Sequence, residues 1–137
     1  MRHIVLISCV SQKGKVPAKS QDLYLSDLFR KSLRYARSLS PDVIYVLSAK
    51  HGLVPLDQVI EPYDDTLNGK IAAEVRQWAA RVVEQIGQVA SLTRDHFTVL
   101  AGERYRRFLL PYLVNHDVPM KGLRIGQQLR FLKERIA

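Results

Sequence analysis

A single cysteine in 137 residues excludes any internal disulfide and any cysteine-cluster zinc site. The longest apolar run falls far short of the roughly 18 residues that a membrane-spanning helix needs, so no membrane partner is expected. Neither a Walker loop nor a dinucleotide fingerprint is present, which leaves nucleoside triphosphate hydrolysis and NAD chemistry without support. The four histidines show no ligand spacing such as His-Glu-x-x-His, so neither a metal nor another cofactor is expected. Repeats, low-complexity tracts and dividing linkers are absent too, which predicts one domain over residues 1–137. Residues 1–8 lack the longer apolar stretch and cleavage site of a signal peptide and read as a short strand. With the lone cysteine, this predicts a cytoplasmic protein.

Acidic residues are outnumbered, 13 to 21, giving a formal charge of +8 and a pI near 9.9. Such an excess concerns partners rather than fold, and it favours polyanions: nucleic acid, nucleotides or acidic surfaces. A hydrophobic content of 47% with 25% charged residues is a globular composition.

The apolar pattern alternates between two periods. Residues 3–8, 42–48 and 96–101 read as buried strands. After Ser26, an N-cap, Leu28, Phe29, Leu33 and Ala36 form one apolar stripe of a helix whose other side carries Arg30, Lys31, Arg34 and Arg37. From Asn68, a second cap, Ile71, Val75, Trp78, Ala79, Val82, Ile86 and Val89 recur at helical spacing. A short helix is expected from Gly102 to about Pro111, a weak fourth strand at 113–118, and a last helix from Gly122 or Arg124. Strand, helix, strand, helix, strand, helix predicts an α/β three-layer sandwich with a mainly parallel sheet of three to four strands. In such sheets ligands bind beyond the carboxyl ends of the strands, so loops 9–22, 48–68 and 101–105 should converge.

Those loops carry the candidate chemistry. Cys9 closes the first strand, and Lys13, on a lysine-rich loop, is placed to hold a phosphate. Tyr24 would stack on a flat ligand or pack beneath the loop. The run Ser48-Ala49-Lys50-His51-Gly52-Leu53 follows a core strand directly, although neither lysine nor histidine favours burial. Lys50 would hold an anion and His51 would transfer protons near neutral pH, while Gly52 marks a close approach or a positive φ. Glu61 and Asp64 flank Pro62-Tyr63, and carboxylates there would polarise water or stabilise an oxocarbenium-like sugar. Gly102 opens a helix whose backbone N–H groups would face a phosphate or carboxylate.

Ile7-Ser8-Cys9 with Lys13, Leu23-Tyr24-x-Ser26-x-x-Phe29, Ser48 to Leu53, Glu61-Pro62-Tyr63-Asp64-x-x-Leu67-Asn68, Ala101-Gly102-x-x-Tyr105 and Gly122-Leu123-x-Ile125-Gly126 together resemble the bacterial domain of unknown function 6884 family. That resemblance covers nearly the whole chain and brings no established activity. Ser48-x-x-x-Gly52-Leu53 followed by Pro62-Tyr63 is also similar to the motif of the peroxide-stress protein YaaA family, which is linked to DNA binding. It is similar too to domains of archaeosine-synthase and transglycosylase enzymes and to the wider uracil-DNA-glycosylase-like sandwich. These similarities imply a nucleobase or nucleic-acid ligand at the strand ends.

The leading expectation is thus a nucleic-acid- or nucleotide-binding domain that cleaves or exchanges an N-glycosidic bond. Its catalytic residues would be His51, Glu61 and Asp64. Ligand contacts would come from Cys9, Lys13, Tyr24, Ser48, Lys50, Gly52, Tyr63 and Gly102. The alternatives are a non-catalytic nucleic-acid binder using the basic first and last helices, and a hydrolase of a small phosphorylated metabolite.

Overall fold

The computed structural model of the chain describes residues 1–8 and 13–136. Its elements are β1 (His3–Ser8), β2 (Ala18–Lys19), α1 (Ser20–Leu23), α2 (Asp27–Ser38), β3 (Val43–Ser48), β4 (Gly52–Pro55) and β5 (Val59–Ile60). They continue with α3 (Ala72–Val89), β6 (His96–Leu100), α4 (Glu103–Arg106), β7 (Asn115–Asp117) and α5 (Ile125–Ile136). The main sheet runs β4-β3-β1-β6-β7, and every neighbouring pair is parallel except β3 with β4. A five-stranded, mostly parallel sheet flanked by helices confirms the α/β sandwich. The strand number exceeds the expected three to four, because residues 52–55 turn back on β3 as an antiparallel partner.

Central β1 shows why the sequence reads as it does. Ile4, Val5, Leu6 and Ile7 are all buried, as a strand covered on both faces requires. Ile4 pairs with Val43 on one side and Phe97 on the other. Phe97 is fully buried, and removing such a side chain from water contributes about 2–3 kcal/mol.

Chain direction then fixes the layers. From β1 the chain crosses to β3 through α2; from β3 it returns past β1 to β6 through α3. Right-handed crossovers in opposite directions put α2 and α3 on opposite faces. α2 starts as its sequence predicts: the Ser26 hydroxyl accepts from the Phe29 N–H at 3.1 Å. Phe29, Leu33 and Ala36 are buried, and the Tyr35 ring meets Phe131 of α5 edge-on at 5.7 Å. α3 starts later than expected. Gly69 takes φ +85° and the Lys70 N–H closes a turn on the Leu67 carbonyl, so Asn68 belongs to a turn and the helix begins at Ala72. The helix expected from Gly102 breaks after one turn, α4, and a separate 3-10 turn covers Leu110–Tyr112.

Edge strand β7 is tied down by polar groups. Thr98 donates its hydroxyl to Asp117 at 2.9 Å, so it accepts from the Nε2–H of His3 at 2.8 Å. His96 Nε2 lies 2.6 Å from the same carboxylate oxygen. Nearby, Asp95 accepts the backbone N–H of Arg2 and of Ser91, and these two bonds hold its carboxyl below the usual carboxylate range. No helix is long and apolar enough to cross a membrane among the described residues.

Candidate functional site

Beyond β1 the chain leaves toward β3; beyond β6 it leaves toward β7. The crevice of an open α/β sheet lies where neighbouring strands part in this way, at their carboxyl ends. A cavity of about 470 Å³ occupies that position, a volume suited to a small ligand. Ser8, Val99 and Leu100 form its floor. Leu28, Phe29 and Ser32 of α2 and Ile125 and Gln128 of α5 line its side. Opposite stand Asp64, Asp65, Thr66 and Asn68, and residues 101–106 close the rim. The three loops expected to converge therefore all reach the cavity, through Lys13, residues 64–68 and residues 101–105.

Each wall has its own support. Lys13 is tied to Tyr24 by a β-bridge, and the Gly14 N–H donates to the Leu23 carbonyl at 2.8 Å. This clasp sets the Lys13 ammonium 4.4 Å from the centre of the Tyr63 ring and 5.9 Å from that of Tyr24. The 64–70 wall is held from α4: Arg104 Nε donates to the Leu67 carbonyl at 3.1 Å and its Nη2 donates to the Lys70 carbonyl. Arg106 also bonds the backbone, donating to the Ala101 carbonyl at 2.8 Å. Arg104, bound to two carbonyls, is thus structural, while Arg106 uses one guanidinium nitrogen on the backbone and keeps its remaining donors. Asp65 pairs with Lys70 at 3.0 Å. Among the described residues Asp64, Glu103 and Lys13 have no ion-pair partner, which leaves two carboxylates and one ammonium facing the space.

Beside the cavity runs a chain of hydroxyls. The His51 backbone N–H donates to the Ser48 hydroxyl at 3.0 Å, which donates to the Tyr63 hydroxyl at 2.8 Å. The Tyr63 and Tyr24 hydroxyls lie 2.7 Å apart. Trp78 donates its indole N–H to the Ser48 carbonyl at 2.9 Å. The His51 imidazole meets the Tyr63 ring at right angles, 5.5 Å between centres. Burial, then the charges of Lys50 and Arg81, hold that imidazole below the ordinary histidine range.

Gly52 has φ +75°, and a Cβ there would stand 2.2 Å from Gln85 Oε1. Gln85 clamps the turn, accepting from the Leu53 N–H at 2.8 Å and donating to the His51 carbonyl at 3.3 Å.

Of the residues singled out from the sequence, Lys13, Asp64 and Gly102 line the cavity. Tyr24, Ser48, His51 and Tyr63 form the adjoining network, with Gly52 shaping its turn. Tyr24 is 1% exposed, so it packs beneath the loop instead of stacking on a ligand. Lys50 lines a second, shallower cavity of about 300 Å³ against α3, together with Asp65, Lys70 and Arg81. Glu61 is exposed beyond β5 and His51 is half-buried, and neither lines either cavity. Cys9 lies outside the described residues. Asp65, Thr66, Asn68 and Glu103 reach the cavity without having been singled out for it. Their signal was present: a polar run between two elements is longer than a plain connection requires.

Among the described residues no group of three or more His, Cys, Asp or Glu side chains could hold a metal ion. The model of a family described as a family of unknown function, DUF6884, matches residues 4–134. No curated protein and no solved structure matches the chain. Nothing in these comparisons extends the similarity to the YaaA family or to uracil-DNA-glycosylase-like domains.

Proposed function

The chain belongs to the DUF6884 family, and we propose that it binds a nucleotide-like ligand in the cavity at the ends of β1 and β6. The observation that carries this reading is one cavity holding both an ammonium and an unpaired carboxylate beside an apolar wall. Lys13 takes the phosphate. Leu28, Met120 and Ile125 offer the flat base an apolar surface, and Asn68 and Gln128 offer amides to its edge. Asp64, an unpaired carboxylate lining the same cavity, would stabilise a cationic sugar, so cleavage or exchange of an N-glycosidic bond is the reaction it would serve. The net charge of +8 favours the approach of such an anion.

His51 supports the site from outside. Its backbone N–H fixes the Ser48 hydroxyl, which in turn orients Tyr63 beneath Lys13. Its depressed imidazole basicity makes it a neutral neighbour at pH 7.

Calorimetric titration with nucleoside monophosphates tests the reading, with chromatography of the mixture for released base. Lys13→Ala should weaken binding about tenfold, the loss of one charge-assisted contact. Asp64→Asn should keep binding within about threefold and abolish any base release. Absence of nucleotide binding, or binding indifferent to both substitutions, defeats the proposal.

A further inference from the structure

We propose that the second cavity is a backbone-phosphate subsite, and that the ligand is one nucleotide of a single-stranded nucleic acid rather than a free nucleotide. This rests on the larger cavity being the nucleotide site, and it adds which class of molecule carries that nucleotide.

The two cavities share a wall. Asp65 lines both, with Asp64, Thr66 and Asn68 facing the larger and Leu67 and Lys70 facing the smaller. One thin segment therefore separates them, and Arg104 fixes it by bonds to two of its carbonyls. A ligand filling only the larger cavity would leave Lys50 and Arg81 on the far side of this wall with Glu74 as the one unpaired carboxylate lining their cavity.

Cations exceed anions in the smaller cavity, Lys50, Lys70 and Arg81 against Asp65 and Glu74. Glu74, Gln77, Trp78 and Arg81 recur at helical spacing on one face of α3 and form the back of the smaller cavity. Lys50 enters from the β3–β4 turn and Lys70 from the wall. Lys70 is neutralised by Asp65. Lys50 has no ion-pair partner among the described residues, and Arg81 uses one guanidinium nitrogen on the Lys50 carbonyl, which leaves its remaining donors for an anion. The depressed basicity of His51, to which Lys50 and Arg81 contribute, reports the same positive local potential.

Lys13 and Lys50 thus serve opposite sides of one wall, and an anion on each requires a ligand with separated phosphates. A polynucleotide strand draped over residues 64–70 would insert one base in the larger cavity and set a neighbouring phosphate at Lys50 and Arg81. The inserted base must be out of any stack, so the strand is single or locally opened.

The experiment compares mixed-sequence DNA and RNA hexanucleotides with nucleoside monophosphates on the wild-type chain and on Lys50→Ala and Arg81→Lys. The wild type should bind the hexamers at least about tenfold more tightly than the monomers. Lys50→Ala should cut that ratio about fivefold and reduce the salt slope for the hexamer by about 0.7, the value for one phosphate contact on a single strand. Arg81→Lys, which keeps the charge but loses the guanidinium fork, should cut the ratio less than Lys50→Ala does. Monomers that bind as tightly as hexamers, or a ratio that Lys50→Ala leaves unchanged, overturn the subsite while the nucleotide cavity stands. Failure of monomers and hexamers alike overturns the nucleotide reading itself. A preference for one sugar among the hexamers supports the subsite and names its strand.

Discussion

Burial and two neighbouring cations make His51 harder to protonate in the folded chain than in the unfolded one. Below the ordinary histidine value of about 6.5 the unfolded state binds more protons at this position, so stability rises with pH through that window. Above it the imidazole is neutral in both states and carries no penalty. As pH falls through the folded value, the stability is lost. The effect is small, because the ring is half-buried and water screens it. Denaturant unfolding of the wild type and of His51→Gln at about pH 7 and about pH 5 should show the wild type losing more stability on acidification. An imidazole titration read by NMR supplies the direct check: Lys50→Ala should move the His51 midpoint upward, and a wild-type midpoint above the ordinary value would refute the assignment.

At the scale of elements, the turn between β3 and β4 depends on Gly52. A left-handed alanine costs about 1–2 kcal/mol, and its Cβ would displace the Gln85 amide from the Leu53 N–H and the His51 carbonyl. With about 1 kcal/mol for each of the two lost hydrogen bonds, Gly52→Ala should lower the unfolding free energy by about 3–4 kcal/mol. In a Gln85→Ala background the same substitution should cost only the backbone part, and equal costs in the two backgrounds would sink this account. The turn also explains what the sequence left hidden. β1, β3 and β6 were legible because central parallel strands are continuous apolar runs. α2 was legible because its cap and stripe agree. β4 was not, since Gly52 to Pro55 is short, half-buried and embedded in polar residues. Missing it meant reading residues 48–68 as one loop, with Lys50 and Asp64 facing one space. In fact β4 returns along β3, and β5 pairs with β2 through Ala18 and Ile60, so Lys50 turns toward α3 while Asp64 comes round to the larger cavity. The convergence of three loops followed from topology alone; which side chains met there depended on pairings too short to read.

Over the whole molecule, the positive charge divides into separate fields. At about 100° per residue, Arg30, Arg34 and Arg37 lie together on the flank of α2 opposite Leu28 and Ser32, which line the cavity, and Tyr35, which meets α5. All three are exposed, and Arg37 donates to Gln21 at 3.2 Å. This stripe therefore does not open into the proposed nucleotide site, and it is the feature on which a purely non-catalytic duplex binder would rely. Replacing all three arginines by glutamine separates the two readings. Surface changes of this kind shift stability by less than about 0.5 kcal/mol each, so folding should survive. Weak duplex binding should fall, and its dependence on log salt should flatten by about 0.9 for each phosphate contact removed. Nucleoside monophosphate affinity should stay within about twofold, because no arginine of the stripe lines the cavity. If the triple variant lost mononucleotide and duplex in equal measure, the two fields would be one surface, and charge, not the cavity at the strand ends, would define what this protein recognises.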